Sequence, residues 1–300
     1  MSQRISWKKQ VKQLKPKLFA HRLTPFRTNT REPLVIQIFE PTKKRIIGVI
    51  HVPALPGDAL GTTRKAAFDA ALRDLDALAD SGVDGIIIEN FGSVPFHKGT
   101  PSDPTPPHQI SALAVLANIA KEGFPELKIG INCLRNDAKS ALGAASASGA
   151  DFIRVNVHAS SFVTDQGIIE SDAANTLTYR KLLGGNIGIM ADILVKHSVP
   201  LGETDPARAA EECVGRGLAD ALIVSGHGTG APVSLDVLRA AKSGAASAPV
   251  LIGSGLTLEN AAELLAECDG AIVGTALKVD GITRNPVDPA RVKALAAFFR

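Results

Sequence analysis

An eight-stranded parallel (β/α)8 barrel, the TIM barrel of the α/β class, is the fold this sequence predicts. Three observations predict it. Apolar runs of strand length alternate with amphipathic segments of helix length from residue 46 to 299, the pattern of consecutive βαβ units. The runs number eight over about 250 residues, the size of a single barrel. Most of the runs end in polar clusters, and the C-terminal ends of parallel strands are where α/β proteins place their chemistry. A doubly wound open sheet shares the local pattern and is the alternative; eight strands with no break in composition favour one barrel.

The elements follow in order. Ile46–Val52 is a near-continuous apolar run, as befits a strand buried on both faces, and it ends in His51, Pro53, Pro56 and Gly57. Thr63–Ser81 is helical, with Ala67, Ala71, Leu75 and Leu78 on one face and Gly82 as its stop. Val83–Asn90 is the second strand, ending in Glu89 and Asn90. The Gly- and Pro-rich loop from Phe91 to Pro107 is long enough to suggest a functional role. Ile110–Lys121 is the second helix. Ile129–Ile131 is the third strand, followed by Asn132, Arg135, Asn136 and Asp137, a small-residue helix over 138–148 and the stop Gly149. The fourth strand holds Phe152, Ile153, Val155 and Val157. It carries Arg154, Asn156 and His158 and opens into a loop with Thr164, Asp165, Gln166 and Gly167.

Four more units complete the ring. Helix Ala173–Leu183 leads to strand Ile187–Leu194, with Asp192, Lys196 and His197 at or past its end. Helix Pro206–Arg216 leads to strand Ala219–Ser225 and the run Gly226–Gly230. Helix Leu235–Lys242 leads to strand Pro249–Ile252 and Gly253-Ser254-Gly255. Helix Leu258–Ala266 leads to strand Gly270–Val273, then Gly274, Thr275 and Lys278, and helix Pro289–Phe299 closes the order.

Composition narrows the function. With 45% hydrophobic residues, 300 residues can bury a large core, and a net charge of +3 gives no reason to expect nucleic-acid binding. Residues 1–31 hold nine Lys or Arg and no acid, and the remainder is mildly acidic. Such a start suits a disordered extension through residue 40, a contact with phosphate or a membrane surface, or an organelle transit peptide; its Lys-rich, Ser-poor character favours the extension. Residues 41–300 form the barrel. Cys133, Cys213 and Cys268 lie far apart and read as reduced thiols of a cytoplasm-like compartment. No apolar run reaches the ~18 residues of a membrane span. Assembly of identical copies is expected, as for most soluble oligomers.

Two motifs carry the chemistry. Gly253-Ser254-Gly255-Leu256-Thr257 and Gly274-Thr275-Ala276-Leu277-Lys278 follow the seventh and eighth strands, where barrels often bind phosphate on loop amides. Glycine admits an anion to the backbone, and Ser254, Thr257, Thr275 and Lys278 can add hydroxyls and charge. The second motif is the ring of polar strand ends: His51, Glu89, Asn90, Asn132, Arg135, Arg154, Asn156, His158, Asp192 and Lys196. Glu89 and Asp192 are candidate bases or carboxylate ligands for a divalent metal such as Mg²⁺. His51 and His158 are candidate acid–base groups; Arg135, Arg154 and Lys196 can hold an anion. Plainer roles compete: Arg154 can pair with Glu89 or Asp192 inside the barrel, His158 can cap a turn, and Lys196 can face solvent. The bare Gly226–Gly230 run lacks the helix packing of a dinucleotide loop and reads as a mobile loop over the pocket. No HExxH, GxSxG or P-loop occurs, which removes the usual signatures of peptidases, serine hydrolases and P-loop nucleotide hydrolases.

The sequence resembles the BtpA/SgcQ family. The matching stretches are IIGVIHVPALPG, DGIIIENFGSVPF, GINCLRND, FIRVNVHASSFVTDQGIIE, ADILVKH, ADALIVSGHGTG, LIGSGLT and IVGTALKVDG, in family order from Ile46 to Gly281. The resemblance implies a barrel similar to the ribulose-phosphate-binding group and hence a phosphorylated ligand. It also brings a link to photosystem I accumulation, although members occur in organisms without photosynthesis, and it implies no particular reaction. Two positions depart from the family pattern: Asp58 stands where a Ser is usual and Ser93 where an acid is common. The basic extension lies outside that pattern. Two functions follow: an enzyme acting on a small phosphorylated or anionic metabolite, or a non-enzymatic assembly factor; a metabolite sensor is a third.

Overall fold

The structure is a computed structural model that describes residues 36–40, 43–226 and 232–300. The basic start, with its transit-peptide and membrane-surface expectations, lies outside the described residues, as do positions 227–230 of the glycine-rich run. Eleven strands are described: β1 (Arg45–His51), β2 (Gly85–Glu89), β3 (Lys128–Asn132), β4 (Phe152–Val155), β5 (Ser161–Thr164), β6 (Gly167–Glu170), β7 (Gly188–Leu194), β8 (Ser198–Pro200), β9 (Ala221–Val224), β10 (Val250–Ile252) and β11 (Gly270–Val273). Eight are parallel and close a barrel in the order β1-β2-β3-β4-β7-β9-β10-β11, with β11 pairing back onto β1. The helices are α1 (Arg64–Ala79), α2 (Pro107–Gly123), α3 (Ala138–Ser148), α4 (Ala173–Leu182), α5 (Pro206–Gly215), α6 (Leu235–Gly244), α7 (Ala261–Ala266) and α8 (Pro289–Ala296). Among the described residues no helix is long and apolar enough to cross a membrane.

Strand alternation divides the core in two. Ile47, Val49, Ile87, Phe152, Met190, Ile223, Leu251 and Ile272 pack together inside the barrel. Their strand neighbours Ile46, Ile50, Ile86, Ile88, Ile153, Leu222 and Ile252 pack outward against the helices. Each such side chain taken from water contributes roughly 1.5–3 kcal/mol. Phe152 fills the interior because its neighbour on β3 is Gly130: a Cβ there would lie 2.2 Å from Phe152 Cε2. Ile38 joins the interior cluster from below, and the Phe39 ring stands 6.2 Å from that of Phe152. The Ile36 amide donates to Asp220 Oδ1 at 2.6 Å. The segment set aside as extension through residue 40 therefore supplies part of the barrel's floor.

Helix starts are fixed by caps the sequence contains. Thr63 accepts from the Ala66 amide, Asp137 from that of Ser140, and Asp205 and Asp288 cap helices opening on Pro206 and Pro289. Gly149 ends α3 with φ 73°, a left-handed conformation suited to glycine. Three details differ from the sequence reading. Helix α2 starts earlier, at Pro107, and α7 starts later, at Ala261. The stretch after β4 is no simple loop: β5 and β6 form a hairpin with Asp165 and Gln166 at its tip, and β8 pairs with β5 from the other side. Phe162 and Ile169 pack inward from this small sheet onto Val157 and Val195.

Asp58 and Ser93, the two positions singled out in the resemblance, touch each other. Ser93 Oγ donates to Asp58 Oδ2 at 2.6 Å, and Asp58 also accepts from the Leu55 amide, Gln109 and His108. Burial alone would raise the Asp58 pKa, but these hydrogen bonds outweigh it and hold the carboxyl below its usual range.

Candidate functional site

Register builds the site. His51 pairs with Glu89, Glu89 with Asn132, and Asn132 with Arg154 across four successive strands. Four polar residues thus share one level near the C-terminal end of the barrel. Asn132 Nδ2 donates to Glu89 Oε2 at 3.0 Å, and His51 Nε2 lies 3.4 Å from Glu89 Oε1. His51 also stacks on Phe91, ring centroids 4.6 Å apart. Burial lowers the His51 pKa to about 4 despite Glu89 beside it, so the ring is neutral at pH 7.

Above this level opens a cavity of about 1110 Å³. It is lined by His51, Glu89, Asn132, Arg154, Asn156 and Lys196 on one side and by Gly253, Ser254, Gly255, Thr257, Gly274 and Thr275 on the other. Gly253 is required by packing: a Cβ would lie 2.4 Å from both Ile223 Cγ2 and Ser225 Oγ. Gly274 likewise sits over His51, 2.8 Å from its Cε1 to an added Cβ. Gly255 has φ 77°. Asn260 fixes the first loop, accepting from the Thr257 amide and donating to the Gly255 carbonyl. Ser254 Oγ and Asn156 Oδ1 are buried without a hydrogen-bond partner.

Three sequence candidates have other partners. Asp192 lies in β7 beneath Arg154 and does not line the cavity. Its oxygens accept from Arg154 Nε at 2.9 Å and Nη2 at 2.8 Å, from Asn156 Nδ2 at 3.1 Å, and from Ser225 Oγ at 3.4 Å. Such a carboxylate positions Arg154 and has little capacity left to take a proton from substrate. Burial alone would lower the Arg154 pKa, and Asp192 more than offsets it, so the guanidinium is a fixed charge. His158 faces away from the cavity; its Nε2 donates to the Gly217 carbonyl at 2.8 Å, just past α5. The strand ends at Val155, so the alternation that turns Arg154 inward does not extend to position 158. Asn90 is likewise internal, bonded to Gln109 and the Leu134 backbone.

Lys278 also needs correction. It neither grips an anion nor faces solvent: its side chain is 1% exposed and its Nζ lies 2.5 Å from Asp74 Oδ2 on α1. Among the described residues no group of three or more His, Cys, Asp or Glu side chains could hold a metal. With Asp192 committed to Arg154, Glu89 and Asp192 do not form the pair of carboxylate ligands considered for a divalent metal such as Mg²⁺.

The cavity also contains groups the sequence reading did not place there. Phe91, Val94 and Phe96 from the long loop after β2 give it an apolar wall, and the hairpin tip brings Asp165. Arg135, already named in the ring of polar strand ends, lines it as well, with Nη2 donating to the Lys196 carbonyl at 2.9 Å. The length of the β2–α2 loop signalled the first group; nothing local in the sequence signalled that a hairpin would carry Asp165 to the rim.

These features define a (β/α)8-barrel protein with a large cavity at the C-terminal ends of its strands, its wall partly apolar and partly polar. The chain belongs to the BtpA family, whose sequence model matches residues 42–299. It is 41% identical over 261 residues to the Photosystem I biogenesis protein BtpA of Synechocystis sp., covering 87% of this chain and 89% of that protein. An uncharacterized protein of Pyrococcus furiosus is 42% identical over 255 residues, covering 85% of this chain and 94% of the relative. Among solved structures, thiamine phosphate pyrophosphorylase from Pyrococcus furiosus matches with a TM-score of 0.53 at 12% identity, over 85% of this chain and 95% of that one. At that identity the likeness is one of fold.

Proposed function

We propose that this barrel is an enzyme acting on a small phosphorylated or otherwise anionic metabolite held in the cavity. The observation that carries the reading is the convergence of Arg135 and Arg154 with the glycine loops after β10 and β11 around one space, with Lys196 in the same lining. Loop amides, the unpartnered Ser254 Oγ and fixed positive charge together suit the oxygens of a phosphate or carboxylate. Glu89, at the cavity wall beside neutral His51 and Asn132, is the residue placed to move a proton. Arg154, locked by Asp192, stabilises negative charge that develops on the substrate.

Thermal stabilisation by inorganic phosphate and a panel of sugar phosphates tests the reading. A ligand at ~100 times its dissociation constant adds about 2.7 kcal/mol. The shift is expected to vanish in Gly255→Asp, which brings an anion into the loop. A well-folded protein that responds to no anion would overturn the reading. Glu89→Gln is expected to keep the shift and to lose turnover on the ligand identified.

A second reading has its own support: the cyanobacterial relative is named for photosystem I biogenesis. An assembly role predicts that Glu89→Gln leaves partner association and in-cell function unchanged, the opposite of the enzymatic expectation.

A further inference from the structure

We infer that Lys196 is a covalent catalyst, its amine forming a Schiff base with the carbonyl carbon of an aldehyde or ketone whose anionic end lies against the Gly253–Thr257 and Gly274–Thr275 loops. The inference rests on the reading of the cavity as a site for small anionic metabolites and names the functional group such a metabolite carries.

Lys196 differs from the other cations of the molecule's interior. Its main chain is pinned: Arg135 Nη2 holds its carbonyl at 2.9 Å, Val195 before it is packed into the Phe162 cluster, and β8 begins at Ser198. Its side chain lines the cavity and, among the described residues, makes no hydrogen bond or ion pair. Arg154 by contrast is engaged on two donors by Asp192, and Lys278 is paired with Asp74. A half-buried ammonium without a counter-ion is poorly solvated, and loss of its proton relieves the cost. The surroundings push the same way. Burial and then Arg154 lower the Lys196 pKa, Arg135 adds to this, and Glu89 and Asp192 oppose it without reversing it. His197 and Asp165 also line the cavity, and burial lowers the His197 pKa. A desolvated lysine beside another cation is a recognised route to a nucleophilic amine at neutral pH. It is unusual for a purely electrostatic anion holder, which needs its proton.

The chemistry balances without an oxidant or reductant. The Nζ lone pair forms a C–N bond to the carbonyl carbon as the C=O π electrons move to oxygen. Proton transfer from nitrogen to that oxygen gives the neutral carbinolamine. A further proton, for which Glu89 is the placed carrier, converts the hydroxyl into leaving water and yields the C=N⁺ iminium. Arg154 carries a permanent charge that adds to burial in lowering the Lys196 pKa, and it does not compete as a nucleophile.

The test uses the full-length protein with pyruvate and with glyceraldehyde 3-phosphate, each reduced in place by sodium borohydride and read by intact mass and peptide mapping. One adduct per chain, on Lys196, is the expected result, with formation rising at a pH below the ~10.4 of a free lysine. Lys196→Arg replaces the nucleophilic amine with a guanidinium and is expected to lose the adduct. Lys196→Met, also without adduct, checks that the arginine has not blocked the cavity. Absence of an adduct with both probes, or adducts scattered over surface lysines and unchanged in Lys196→Arg, overturns the inference. Phosphate stabilisation separates the two readings. Stabilisation without an adduct leaves the anion site and removes the Schiff base. An adduct without stabilisation leaves the Schiff base and removes the phosphate grip. Neither removes both.

Discussion

Asp192 shows how a residue's role depends on its neighbours. Both strand-end carboxylates are candidate bases in the sequence, and the residue types alone give no reason to rank them. Barrel closure puts Arg154 directly over Asp192, and the pair is 4% and 1% exposed in its side chains. Removing the carboxylate in Asp192→Ala strands a buried guanidinium, expected to cost about 3–5 kcal/mol in urea unfolding. Glu89→Gln keeps an acceptor for Asn132 and should cost about 1 kcal/mol or less, within the worth of a single hydrogen bond. A smaller loss for Asp192→Ala than for Glu89→Gln would refute the assignment. His51 gives a prediction in pH. Its folded pKa of about 4 lies below the ordinary 6.5, so as pH falls the unfolded chain takes up the proton first. Its contribution is complete above pH 6.5, declines as pH drops toward 4, and totals roughly 3 kcal/mol. His51→Asn should flatten this part of the profile of melting temperature against pH. The inward polar ring was legible because strand ends are legible; the position of His158 was not, because alternation holds only while the chain stays extended.

At the scale of elements, the barrel strands and most helices were legible from apolar runs, glycine stops and caps. The small antiparallel sheet was not. Its hairpin turns on Asp165-Gln166, a short polar stretch that reads as loop, and its third strand lies more than thirty residues further on. Pairing at that distance leaves no periodic trace. The β3–β4 contact supplies the test here. In Gly130→Ala the new methyl must displace the fully buried Phe152 ring, and the overpacking is expected to cost about 1–3 kcal/mol. Retention of wild-type stability would mean that the interior can yield at its largest side chain.

At the scale of the molecule, one end of the barrel is a packed floor and the other an open cavity. The ring could be predicted because eight repeated units admit few closures. The floor was missed because its residues adjoin a basic stretch and look like part of it, although Val35-Ile36-Gln37-Ile38-Phe39 is itself an apolar run. Ile38→Ala is expected to lower stability by about 2 kcal/mol, at the low end for a buried isoleucine because its environment borders the surface. Chemical denaturation reads this directly, and phosphate binding at the far end should be unaffected.

The Asp58–Ser93 contact makes two positions far apart in the chain interdependent. Hydroxyl and carboxylate stand on opposite sides of one hydrogen bond, so a change on either side is felt on the other. A chain with acids at both positions sets like charges about a hydrogen-bond length apart in a crowded turn, whereas a chain with serines at both takes the carboxylate acceptor away from the Leu55 amide, Gln109 and His108. The two sites are therefore coupled: Ser93→Asp is expected to be harmful beside Asp58 and less so in a chain that also carries Asp58→Ser, which melting temperatures of the single and double variants check.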